Sequence, residues 1–190
     1  ETGPVLEPAN CAGVLAVAGI RHVGTKVGYS SYGAEVGISA PAGNCVNVLA
    51  GQPCLFPLIN TTNLGSTVPA GNGYTGINDV TVGTSFATPL VAGTAALMLA
   101  ANPALSGTEI IRLIKTGATP FPTDASLPNC PQVTSDGQCN CTTTTCGAGM
   151  LNTSTAVAAA LATVATAPVA KITVSGTPTA QTAFSLDASG

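Results

Sequence analysis

The sequence predicts an α/β fold, with helices layered on a mainly parallel sheet. Two observations carry this. A short continuous apolar run at 13–19 has the length and composition of a strand buried on both faces, and 35–40 is a second strand candidate. They alternate along the chain with helix signals at 86–101, 107–116 and 153–164, and such alternation builds a parallel sheet covered by helices.

Each element has its own reason. Residues 13–19 (GVLAVAG) form the first strand, and 35–40 the second, closed by Pro41. Residues 44–76 are rich in Gly, Pro, Asn and Thr and read as an excursion with one or two short strands. A further short strand falls at 79–82. Residues 86–101 read as a long buried helix. Its apolar stretch from Leu90 is interrupted by Gly93 and Thr94 and stops at Asn102-Pro103, short of the roughly 18 apolar residues a bilayer needs. Ser106-Gly107-Thr108-Glu109 is a capping-box pattern opening a helix at 107–116, which Pro120 and Pro122 end. Asn152 caps a last helix over 153–164. Beyond residue 166 the pattern changes to apolar–polar alternation at 169–174 and 181–186, two strands at most.

Composition narrows the function classes. The 190 residues suffice for one ordinary core. With 7% charged and 45% hydrophobic residues, the chain has the opposite of a disordered composition. Five Lys plus Arg cannot neutralise a run of phosphates, which argues against nucleic acid. An aromatic content of 4% with no Trp gives little for bases to stack on.

Seven cysteines in a chain so poor in charge point to an oxidising, secreted setting. Cys45 and Cys54 make a local pair. Cys130, Cys139, Cys141 and Cys146 staple a Thr-rich loop in one of three connectivities, and Cys11 is left over. The spacing is not the paired C-x2-C of a zinc ribbon, and no His lies near, so no metal site is assigned.

The chemistry concentrates in Gly83-Thr84-Ser85-Phe86-Ala87-Thr88-Pro89. Gly83 permits a sharp turn at a strand end. Ser85 then falls in the first turn of a helix, beside free N–H groups and the positive end of the dipole. Both would stabilise an oxyanion forming there. The bland alternative is that Thr84 or Ser85 merely caps the helix.

The heptad resembles the G-T-S-x-A-x-P nucleophile motif of the subtilisin-like serine proteases. Further similarities run in order. They are Pro8-Ala9 before the first strand, Tyr29-Ser30-Ser31-Tyr32-Gly33, Ser39-Ala40-Pro41-Ala42-Gly43, the apolar helix after Pro89, and Gly147-Ala148-Gly149-Met150-Leu151-Asn152. The resemblance implies a subtilisin-like three-layer fold over residues 1–165 (its C-terminal portion only) and a secreted, bacterial serine endopeptidase. Ser85 would be the catalytic nucleophile, with Gly83 and Thr84 supporting its loop. It also implies a protein or peptide substrate, no required cofactor, and structural Ca2+ by family analogy alone, since the acidic residues are scattered.

The family's Asp, His and oxyanion Asn have no counterpart in this sequence. His22, the sole histidine, lacks the H-G-T context and reads as structural. Asp79 lies too close to Ser85 to orient a distant His. Asn44 matches the letters A-G-N but follows the A-P loop, so it is not the oxyanion donor. The chain is therefore expected to need the N-terminal part of the same catalytic domain, and to be inactive alone. Residues 166–190 resemble a linker and the first strands of a truncated PKD or immunoglobulin-like domain. The competing readings are a catalytically inactive fragment and a secreted adhesive module, the latter requiring strands rather than a helix after Ser85.

Overall fold

The computed structural model describes residues 4–44, 56–76 and 81–164, with two short backbone pairs beyond them. Strand β1 (Ala16–Ile20) pairs in parallel with β2 (Val36–Pro41), Val17 opposite Ile38 and Ile20 opposite Pro41. The connection through 21–35 contains no helix. The strand starts at Ala16 rather than 13, because Gly13 takes a positive φ of 82° and Val14 is half exposed in a turn.

A third strand-like segment lies against β2. Ala148 N–H donates to the Gly37 carbonyl, Ser39 N–H to Gly149 and Leu151 N–H to Ser39, while Met150 and Thr119 exchange both backbone bonds. Gly147 and Gly149 make this approach possible. A Cβ on Gly147 would sit 2.5 Å from the Ile38 nitrogen, and one on Gly149 2.5 Å from the Thr119 oxygen.

Within the excursion at 44–76, the described residues 56–76 form an exposed antiparallel hairpin, β3 (Thr61–Asn63) with β4 (Asn72–Tyr74). Its tip is held by Asn63, whose Oδ1 accepts from the N–H groups of Gly65 and Ala70. The expected strand at 79–82 is not formed over Thr81–Val82, and residues 79–80 lie outside the described residues.

Helix α1 (Thr84–Ala101) lies on the sheet, α2 (Gly107–Thr116) follows, and α3 (Thr153–Ala162) packs on both. The capping box of α2 is complete, with Ser106 and Glu109 exchanging side-chain and backbone bonds. In α3, Asn152 accepts from Thr155 N–H, and its buried Ala156 and Ala160 allow close approach to α1. A bond between the Thr94 and Thr153 hydroxyls (2.7 Å) joins the two helices. The core gathers Ile38, Ala87, Val91, Met98, Leu113 and Ile114 between sheet and helices.

One expectation is corrected here. Helix α1 buries only the stripe Ala87, Val91, Thr94 and Met98, and is not buried all round. Leu90, Leu97 and Leu99 are 43%, 54% and 39% exposed, because the described layers meet it from one side only.

The loop at 122–146 is closed by Cys130–Cys139 and Cys141–Cys146, which selects one of the three connectivities. Cys11 is exposed and free. Cys45 and Cys54 lie outside the described residues. The loop docks on the turn after β1 through Lys26, a fully buried residue. Lys26 N–H donates to the Cys139 carbonyl, and its ammonium donates to the carbonyls of Val27 (2.8 Å), Gly28 (3.3 Å) and Gly137 (3.0 Å). Arg21 adds a bond to the Gln138 side chain.

The last part of the chain holds a two-residue antiparallel pair, β5 (Thr173–Val174) with β6 (Leu186–Asp187). The rest of 166–190, on which the PKD-like expectation rests, lies outside the described residues.

Candidate active site

Gly83 is the N-cap of α1, with φ 151° and ψ 153°, a backbone that L side chains rarely adopt. It contributes no side-chain cap. Its carbonyl accepts from Phe86 N–H (2.9 Å), and its own N–H donates to the Ala42 carbonyl (2.8 Å). Thr84 and Ser85 therefore occupy an open first turn, with no carboxylate in it to neutralise the helix dipole. The capping alternative for Thr84 and Ser85 is thus set aside, since glycine holds the cap.

Ser85 is exposed, and its hydroxyl has no hydrogen-bond partner among the described residues. Pro89 has no N–H to donate to the Ser85 carbonyl one turn back. The Thr88 hydroxyl takes the neighbouring Thr84 carbonyl at 3.0 Å. The result is a free hydroxyl on a rigid helix start with undercommitted backbone N–H groups beside it.

Residues 41–43 form the abutment for this turn. Ala42 is fully buried, and Gly19 at the end of β1 leaves room for it. A Cβ on Gly19 would lie 2.7 Å from that of Ala42 and 3.4 Å from Thr84 Cγ2. Gly43 has a φ of 81°, and a Cβ there would meet Val82 Cγ1 at 2.7 Å. The Tyr29 hydroxyl lies 2.5 Å from the Ala42 oxygen and 2.8 Å from that of Gly43. Burial pushes its phenol up to about 12, so it remains a donor at neutral and moderately alkaline pH. A cavity of about 270 Å3 opens beside Thr84, Tyr29, Ser30 and Ser31.

The remaining candidates are placed elsewhere. His22 stacks on Phe56, with ring centroids 3.5 Å apart, at the rim of an apolar cavity of about 390 Å3 lined also by Pro41, Gly43 and Leu58. Burial and the adjacent Arg21 charge hold its imidazole below the usual value. Asn44 is buried, and its N–H donates to the Phe56 carbonyl. Asp79 lies outside the described residues. Among the described residues the group of three potential ligands is Cys130, Cys141 and Cys146, which are sulfurs bound in disulfides rather than the oxygens a hard cation takes.

The local heptad made Ser85, Thr84 and Gly83 legible. Tyr29, Gly19 and the seating of Ala42 under Gly83 were missed as site residues, because their contacts cross long sequence separations. The A-P-A-G turn was the available signal.

This nucleophile-like turn sits in a chain whose residues 1–149 match the family model of the subtilase family, Peptidase_S8. The chain belongs to the subtilase family. Among curated proteins, an "Extracellular protease" of Xanthomonas campestris pv. campestris is 34% identical over 146 residues, covering 76% of this chain and 19% of its own length. Subtilisin Savinase of Lederbergia lenta is 33% identical over 117 residues, covering 62% of this chain and 35% of its own. Among solved structures, a protease from Pseudoalteromonas arctica superposes with a TM-score of 0.60 at 30% identity, covering 81% of this chain and 38% of that one. Fervidolysin from Fervidobacterium pennivorans, with a TM-score of 0.51 at 20% identity, covers 80% of this chain and 20% of its own and supports the fold alone. This subtilase chain thus spans a fifth to roughly two fifths of these relatives, and its α/β fold is subtilisin-like.

Proposed function

We propose that this subtilase chain is the nucleophile-bearing part of an extracellular serine endopeptidase. One observation carries the proposal: the Ser85 hydroxyl is exposed and, among the described residues, unbonded at the start of α1, which no side chain caps, in a chain of this family. In this reading Ser85 Oγ attacks the carbonyl carbon of a peptide bond, and its proton passes to a base. The carbonyl oxygen becomes an oxyanion beside the Ser85 N–H and the helix N-terminus. The C–N bond then breaks, the amine leaves with the proton, and water hydrolyses the acyl-enzyme.

The acid, the base and the second oxyanion donor come from polypeptide other than these 190 residues. The exposed Leu90, Leu97 and Leu99 of α1 are where the N-terminal part of the same catalytic domain would add its layers. An extracellular location is supported by the two disulfides and by the name of the Xanthomonas relative.

The test joins the chain to a subtilase N-terminal segment and adds a fluorophosphonate probe. Labelling is expected in the joined protein and is expected to vanish in Ser85→Ala. Equal labelling of that variant removes the proposal. A second reading, a non-catalytic chain, is favoured by the placement of its sole histidine against Phe56. It predicts that the joined protein stays unlabelled.

A further inference from the structure

We infer that the Tyr29 hydroxyl is a positioning group for the nucleophile, bracing the Ala42–Gly43 turn on which Gly83 and the start of α1 are hung. The inference rests on the reading of Ser85 as that nucleophile. The Ala42 carbonyl is the shared node. It accepts the Gly83 N–H at 2.8 Å and lies 2.5 Å from the Tyr29 hydroxyl, whose single proton is divided between it and the Gly43 carbonyl at 2.8 Å.

The geometry leaves this turn little other support from side chains. Ala42 has only a methyl group, wedged over Gly19 and beside Thr84, and Gly43 has none. Gly43, with φ 81°, is backed on one side by Thr81 and Val82, and the phenol hydroxyl holds its carbonyl and that of Ala42. Two residues beyond Gly83, a small shift of the cap swings the Ser85 side chain and the first-turn N–H groups together. Misplacement on the order of 1 Å is enough to lose roughly 100-fold in rate. The ring of Tyr29 packs on the core, so ring and hydroxyl have separable roles: the ring fills space and the hydroxyl fixes the turn.

Tyr29→Phe separates them, because it keeps the ring. The variant is made in the active protease that contains this chain and compared with wild type in steady-state peptide hydrolysis, single-turnover acylation and amide hydrogen exchange. The expected result is a roughly 10- to 100-fold fall in kcat and in acylation rate with KM within about twofold. Exchange should be faster at Gly83, whose N–H is bonded to the Ala42 carbonyl, but unchanged along α2. Tyr29→Leu should show the same local signature plus faster exchange throughout the core. The inference is overturned if Tyr29→Phe leaves either acylation or Gly83 exchange within about twofold of wild type, or if its exchange rises uniformly. A Ser85→Ala protein that still turns over would instead remove the nucleophile assignment, and Gly83 exchange would then report the brace by itself.

Discussion

Lys26 offers a pH-dependent test of how the disulfide loop is held. Among the described residues it is the one charged side chain that is fully buried. It has three carbonyl acceptors and the Tyr32 ring 5.5 Å away. Burial lowers its pKa from 10.5 to about 8. Between those values the unfolded chain binds more protons than the folded one, so stability rises with pH across the window. The contribution is fully present above 10.5 and is lost as pH falls through about 8.

At about 1.4 kcal/mol for each tenfold change in proton activity, the ceiling is about 3 kcal/mol. Tyr29 acts with the opposite sign. Its phenol is raised from 10.0 to about 12, so its contribution is present below pH 10 and is lost as pH climbs through 12. Stability should therefore rise from about pH 8 to a maximum near 10 and then fall. The assay is urea denaturation followed by far-UV circular dichroism across that rising limb, because the sequence has no Trp to report unfolding. Lys26→Met, which keeps the stem and removes the charge, should abolish the rise. If wild type and Lys26→Met change in parallel over that range, the account of the buried ammonium is wrong.

Gly147→Ala should abolish folding, with a loss above about 4 kcal/mol. The new Cβ would press on the backbone of Gly37 and Ile38, 2.5 Å from the Ile38 nitrogen, and the φ of 83° is itself unfavourable. Loss of protease resistance in the purified variant checks it. The Cys130→Ser, Cys139→Ser double variant opens a loop of sequence separation 9 and should lose roughly 2.5 kcal/mol. Calorimetry reads this as a lower Tm, and an unchanged Tm would show that Lys26 and Arg21 alone dock the loop.

What was legible in the sequence had local causes. The S-x-x-E box gave α2 its start, Asn152 gave α3 its cap, and the heptad placed Ser85 in the first turn of α1. Each depends on hydrogen bonds between residues within about one turn of each other. The rest depended on contacts that periodicity does not encode. The segment at 147–151 reads as a lead into a helix, yet its backbone adds to the sheet through glycines that permit close approach. The disulfide pairing depended on how the loop folds over Lys26. A lone lysine after a strand reads as solvated, and here it is enclosed. Tyr29 reads as part of a turn motif, and only the fold shows its hydroxyl reaching residues 42 and 43.

The uncharged exterior of α1 has a practical consequence for handling the molecule. Three leucines face outward on a helix with no acidic first turn and no basic last turn, so neither like-charge repulsion nor hydration keeps copies apart. Produced by itself, the polypeptide should precipitate or remain bound to chaperones. Polar replacements at Leu90 and Leu97 should restore colloidal stability while leaving the buried stripe of the same helix intact.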